Sequence, residues 1–302
     1  MLYTLPQYIL LFFIYGILGW CAEVAFAGFT THELVNRGFL NGPVCPIYGF
    51  GMVAMLLVVG PWIKNVVVLF FVGMIITTGV ELFGGLILYK IFHTRWWDYS
   101  NYKWNFHGLI CPQFCLVWGV ACVVVLRVIH PLIAAPVRMI PPLPLLIVDA
   151  VFLVGFVADV SVSAAEAIGL NKHLQQIDEL RAAMRVTSDK LTTVIGGNAI
   201  TADALLDEQK LQLTLAAMEG RDNAADLADQ IKSLSARAGE MRAKGEKLLR
   251  QRFFGTGRLL RAFPDMKSSL HAESLDAILA HISALAAAAK KSASELKDKL
   301  VK

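Results

Sequence analysis

Charge is what the first half of this chain has least of. Residues 1–169 hold 7 Lys/Arg against 7 Asp/Glu, and the remainder holds 21 against 17, which supplies the whole net charge of +4. With 56% hydrophobic residues and a mean hydropathy of +0.56, that scarcity excludes an ordinary soluble domain. No nucleic-acid motif accompanies the small positive balance, so a nucleic-acid partner is not expected. Cysteine is also scarce: Cys21, Cys45, Cys111, Cys115 and Cys122 all lie in the apolar half. Cys111 and Cys115 are one helical turn apart, but only His107 offers a nearby ligand type, so they read as buried thiols and no metal site is expected. There is no basic segment ahead of the first apolar run, and that run is too long for a cleavable signal peptide.

What is present in abundance is long apolar sequence. A bilayer core takes about 20 residues of helix. Five stretches qualify: about Gln7–Phe29, Pro46–Ile63 (short and Gly-rich), Val66–Ile91, Leu109–His130 and Leu143–Gly169. The expected fold is all-α, a polytopic helical membrane domain over 1–169 followed by a cytoplasmic helical, coiled-coil-like tail over 170–302. Lys and Arg in the short loops set the orientation. Arg37, Lys90, Arg95, Lys103, Lys172, Arg181 and Arg185 fall on one side, and only Lys64, Arg127 and Arg138 on the other. This predicts an inner-membrane protein with its N-terminus outside and its tail in the cytoplasm.

Beyond Gly169 the pattern is that of soluble amphipathic helix. Leu170, Leu174, Ile177, Met184, Leu191 and Ile195 keep a 3–4 spacing until Gly196-Gly197. A second helix carries Leu206, Leu213, Ala217, Ala224, Leu227, Ile231, Leu234, Ala238, Met241 and Leu248, a seam interrupted by Lys210, Gly220 and Gly245. A last helix over about Ser269–Leu300 puts Leu275, Ile278, Ile282, Leu285, Ala289 and Leu296 on one face. These stripes can bury one another within one chain or across a homo-oligomer.

Carboxylates inside apolar runs are the strongest functional signal. Glu23, Glu81, Asp149, Asp159 and Glu166 would each cost a few kcal/mol or more in hydrocarbon, so each needs a partner, a bundle interior or a wet path. Glu166 reads as a helix-end charge among headgroups, and Asp149 lies apart, near the opposite end of the last span. The loop holding Asn36, Arg37, Gly38, Asn41, Gly42, Pro43 and Pro46 cannot be helical, yet it is rich in Phe, Leu and Tyr. It is therefore expected to re-enter the membrane or line a pore. A second loop, His93-Thr94-Arg95-Trp96-Trp97-Asp98-Tyr99-Ser100, combines an interfacial aromatic belt with an Arg/Asp pair able to grip a polar ligand. The expected substrate or pathway residues are Glu23, Asn36, Arg37, Asn41, Glu81, His93, Arg95, Trp97, Asp98, Tyr99 and Asp159, with Arg37 and Arg95 as counter-ions. No nucleophile, base and orienting group are spelled out together, so no catalytic residues are assigned, and no cofactor is indicated. Further on, Arg250, Arg252, Phe253, Phe254, Arg258 and Arg261 make a basic-aromatic segment suited to an anionic membrane surface, or to packing on the tail.

Three of these motifs carry a resemblance. Gly19-Trp20 with Glu23, the run Asn36-Arg37-Gly38-Phe39-Leu40 with Gly42-Pro43 and Cys45-Pro46-Ile47-Tyr48-Gly49, and His93 to Ser100 together resemble the bacterial ABC-transporter permease family, type IV, over roughly residues 8–150. The resemblance implies a membrane transport component. The chain lacks a GxxxxGK[ST] phosphate loop, so ATP hydrolysis would come from a separate cytoplasmic ATPase subunit. Five spans are few for one pathway, which favours a homo-oligomer within the lipid bilayer. The other classes the sequence allows are a non-catalytic scaffold or sensor working through the tail, and an intramembrane enzyme acting on a lipid-like substrate.

Overall fold

The computed structural model describes residues 3–31, 35–59, 63–195, 224–250, 256–284 and 287. Among them the fold is all-α except for one pair of two-residue strands. Two compact units emerge: residues 1–169 with 253–272, and residues 170–252 with 273–302. The return of 253–272 to the apolar unit is the feature the hydropathy pattern does not announce.

In the first unit, α1 is Leu5–Thr31, α2 Pro46–Val58 and α3 Val66–Phe92. Asn65 caps α3 by accepting from the amides of Val67 at 2.8 Å and Val68 at 3.3 Å. The helix α4 runs Pro112–Met139. It does not stop at His130 as the sequence suggests, because Pro131 falls after a widened turn, Val125–Ile129, in which the His130 amide reaches back to the Val125 carbonyl. The Arg127 guanidinium inside that turn donates to the carbonyls of Ile63 (2.9 Å) and Lys64 (2.7 Å), so its charge is carried to the chain segment entering α3. The helix α5, Pro142–Ile195, continues through Gly169 without a break.

Four helices are long and apolar enough to cross a membrane, and α2 is a shorter apolar one. Phe71, Ile75, Phe83, Val117, Val120 and Val154 stay exposed, as lipid-facing side chains should. The expected second span, Pro46–Ile63, is represented by the shorter helix α2, Pro46–Val58. The Cys45 amide donates to the Gly16 carbonyl at 2.9 Å, about halfway along α1, and α2 starts there. At 1.5 Å per residue α2 is about 20 Å long, shorter than a bilayer core, and irregular chain from 35 to 45 leads into it. Packing holds this arrangement in place. Phe12 meets Phe50 and Phe156, Phe13 meets Phe152, and Leu11, Met52, Leu56 and Leu145 share a buried cluster.

In the second unit the latter part of α5 lies antiparallel to α6, Ala224–Arg250. The His173 ring donates to the Leu248 carbonyl at 2.9 Å, and Leu180 approaches Gly245. Helical backbone over 272–284 joins them through Ser274 to Asp178 and Glu273 to Arg185. Leu174, Ile231 and Leu275 are fully buried. The seam positions Leu206, Lys210, Leu213, Ala217 and Gly220 lie outside the described residues, as do Leu285, Ala289 and Leu296.

Candidate functional site

The loop end of the first unit gathers the expected residues into three sets rather than one chamber. The first joins α1 to α4. The Tyr48 hydroxyl donates to Glu23 at 2.6 Å, and Arg37 Nε lies 3.9 Å from the same carboxylate. The Tyr48 ring stands edge-on to Trp118 at 5.8 Å, and the Trp118 indole N–H donates to Glu81 Oε2 at 3.1 Å. The Tyr99 hydroxyl donates to the other oxygen, Oε1, also at 3.1 Å. Glu81 is 6% exposed, so among the described residues two neutral donors and no cation meet a buried carboxylate. Burial pushes the Tyr99 hydroxyl above its ordinary range and the Glu81 charge pushes it further, so it stays a donor at neutral pH. Gly19 makes this set possible: a Cβ there would lie 2.2 Å from the Tyr48 ring.

The second set is the non-helical loop itself. The Asn36 side chain accepts from the Trp20 indole at 2.7 Å and the Gly38 amide at 2.9 Å, and donates to the carbonyls of Leu40 and Asn41. From α5, Asp159 accepts the amides of Asn41 (2.9 Å) and Gly42 (2.7 Å). The Asn41 side chain donates to Ser163 at 3.1 Å and Glu166 at 3.4 Å. An irregular backbone is thereby satisfied by protein groups, the condition for tolerating it at membrane depth. Leu40 is 1% exposed beneath it.

The third set is the His93–Gly108 loop and the strap that crosses it. The strap consists of α7, Thr256–Ala262, and strand β2, Lys267–Ser268, which pairs antiparallel with β1, Thr94–Arg95. His93 sits in the left-handed region (φ 51°) and ends α3; its carbonyl accepts from the amide and hydroxyl of Ser269. Phe263 packs edge-on to Trp96 at 5.1 Å, and Trp96 on Phe39 at 5.0 Å. Trp97 donates to the Leu109 carbonyl. Asp98 is paired with Lys267 and lies 4.0 Å from Arg95. Burial would raise the Asp98 carboxyl, but the Lys267 ammonium and the hydroxyl and amide of Ser100 outweigh it and hold it below the usual range. Gly108, at φ +70°, is irreplaceable here because a Cβ would stand 2.4 Å from Asp98 Oδ1.

Arg258 of the strap reaches the second set. Its Nη1 donates to the carbonyls of Gly38 (2.8 Å) and Leu40 (3.0 Å), and its Nη2 to Phe39 (2.8 Å) and Glu166 (3.3 Å). Glu166, expected among headgroups, is buried at 5% exposure. Arg261 is exposed and bonds the Gly257 carbonyl. Arg252, Phe253, Phe254 and the Arg250 side chain lie outside the described residues.

Trp118 and Lys267 complete these sets and were not picked out from sequence, while Tyr48 and Ser163 carried no assigned role there. A hydroxyl or indole in an apolar run gives no sign until a carboxylate is seen beside it. A further polar group at the opposite end went unnoticed for the same reason. The hydroxyls of Tyr3 and Tyr15 lie 2.9 Å from the two ring nitrogens of His130, and Arg138 donates to Tyr3 at 3.2 Å. Asp149, at 3% exposure, has no hydrogen-bond partner on either oxygen among the described residues. The surface concavity lined by Leu116, Val117, Val120, Ala121, Val124 and Val125 is apolar and contains none of these acids. Among the described residues no cluster of His, Cys, Asp or Glu is arranged to hold a metal.

Neither a curated protein nor a solved structure matches the chain. A family model does, over residues 10–164, a stretch that includes Glu23, the 36–49 loop, Glu81, the 93–108 loop and Asp159. With half of its length matched, the chain belongs to the family described as "Putative ABC-transporter type IV".

Proposed function

We propose that this chain is the membrane-embedded component of a transport system, its polar path running past Glu23, Tyr48, Trp118, Glu81 and Tyr99. The observation that carries the reading is Glu81: a buried carboxylate from one helix, served by neutral donors from a loop and from another helix, and linked through Trp118 and Tyr48 to a second carboxylate. A carboxylate left without a cation keeps its charge available to a passing ligand or proton. The half-length α2 and the irregular chain beside it supply the discontinuity from which membrane transport sites are commonly built. In this reading Arg37, Asn36, Asn41, Asp159, His93, Arg95, Trp97 and Asp98 hold the walls of the path, which opens toward the cytoplasm when the loops part.

The membrane would be the cell's inner membrane, with the N-terminus outside and the tail in the cytoplasm. A separate ATPase subunit would supply the energy and a homo-oligomer would complete the pathway. The Arg250, Arg252, Phe253 and Phe254 stretch would lie on anionic lipid. The test is purification in mild detergent, with mass spectrometry of what accompanies the chain, followed by ATP hydrolysis of the recovered complex in liposomes. An ATPase whose turnover falls several-fold with Glu81→Gln supports the proposal. Recovery of self-copies alone, or turnover indifferent to Glu81, rejects it.

A further inference from the structure

The Arg258 contact has the form of a ligand seated in a receptor. Its four acceptors, the carbonyls of Gly38, Phe39 and Leu40 and the carboxylate of Glu166, surround the two terminal nitrogens of a planar cation. Three of the four, the Gly38 and Leu40 carbonyls and Glu166, belong to residues also tied by groups other than Arg258. Asn36 fixes the turn by bonding the Gly38 amide and the Leu40 carbonyl, and Trp20 fixes Asn36. Asp159 clamps the Asn41 and Gly42 amides, and the Asn41 side chain orients Glu166. A cradle preorganised in this way persists when its occupant leaves. The occupant itself fits incompletely: among the described residues the buried Arg258 Nε–H has no acceptor. It comes from outside the family-matched stretch, as Glu166 does, whereas the cradle's three carbonyls, Asn36 and Asp159 lie within it.

We infer that residues 38–40 and Glu166 form a guanidinium-binding site that the chain fills in cis with Arg258, and that an alkylguanidinium group competes for it. Planarity is the selective feature. Two N–H pairs directed at carbonyls on one side and a carboxylate on the other match a guanidinium fork and not a tetrahedral ammonium. Displacing Arg258 would free the strap at one of its anchors, leaving β2 and Phe263 as the others. The inference does not depend on the transport reading, since it concerns Arg258 and not Glu81.

The experiment uses the full chain in mild detergent, as Arg258→Ala and, in parallel, Arg258→Met, which keeps the apolar stem. Thermal midpoints are followed against ethylguanidinium, N-acetylarginine amide, ethylammonium and urea. The expected result is a saturable rise with the two guanidinium compounds only, seen in the variants and absent from the parent. Adding Glu166→Gln should weaken that response about tenfold, the loss expected for one charge-assisted hydrogen bond. The two guanidinium arms separate the sources: equal response means a small cation suffices, and a response to the peptide-like compound alone means the site takes an arginine within a chain. An equal rise with ethylammonium, or none with either guanidinium, overturns the inference. So does failure of both variants to fold, because a cradle that assembles only around Arg258 is no receptor.

Discussion

Glu81 and Glu166 are buried to nearly the same degree, yet the protein treats them in opposite ways. Glu166 faces a guanidinium and an asparagine amide in a loop that is clamped on every side. Glu81 faces a tyrosine hydroxyl and an indole N–H, neutral groups that satisfy its lone pairs without neutralising its charge. Burial alone therefore does not mark a functional acid. The identity of the donors does, because a close ion pair fixes a carboxylate, while neutral donors, even with a cation 3.9 Å away as at Glu23, leave its charge to be met by something else.

Arg258→Ala should be the most damaging change, since it strands the Glu166 charge in a buried site. Its expected cost is about 3–5 kcal/mol, most of it recovered when Glu166→Gln is added. Unfolding of the purified chain by heat or graded detergent measures it. A cost no larger than that of removing a neutral donor would erase the distinction between the two acids. Next comes Gly19→Val, which drives atoms into the Tyr48 ring and off Glu23, costing about 1–3 kcal/mol of overpacking. Trp118→Phe removes one of the two donors to Glu81 and should cost about 1–3 kcal/mol in the same unfolding assay. Ion pairing at the strap is the smallest term. Lys267 is more than half exposed, so its pair with Asp98 contributes about 0.2–1 kcal/mol. Because the folded Asp98 carboxyl lies below its ordinary value, that contribution is complete above about pH 4 and is lost as pH falls through the folded value. Hydrogen exchange at residues 267–268, corrected for its intrinsic pH dependence, should quicken on acidification in the parent and be pH-insensitive in Lys267→Ala.

Much of this architecture was legible in the sequence because hydrocarbon imposes simple rules. Runs of apolar residues located the long helices, and the prolines and glycines of 36–49 marked a segment that is non-helical as far as Cys45, with 46–49 instead opening α2. The helix α4 runs on beyond His130, where the apolar stretch ends, because a widened turn accommodates Pro131. The grouping of the acids was only partly legible. Glu23 and Glu81 do fall into one set, but the partners that join them, Tyr48 and Trp118, are neutral aromatics in aromatic-rich sequence. Arg258 had the composition of a lipid-binding residue, and only tertiary structure reveals that its guanidinium is engaged by Gly38, Phe39 and Leu40. A contact across 220 positions leaves no local pattern.

The central claim is that the charge on Glu81, together with that on Glu23, belongs to a working polar path and not to the scaffold. The most direct test compares the recovered complex carrying Glu81→Gln, Glu23→Gln and both, in liposomes, by ATP turnover, with thermal unfolding as the control for fold. Because the amide oxygen introduced by Glu81→Gln can accept from the Trp118 indole while its amine donates to the Tyr99 hydroxyl, unfolding should change little while turnover collapses in the double variant. Turnover that survives with both charges removed would contradict the account.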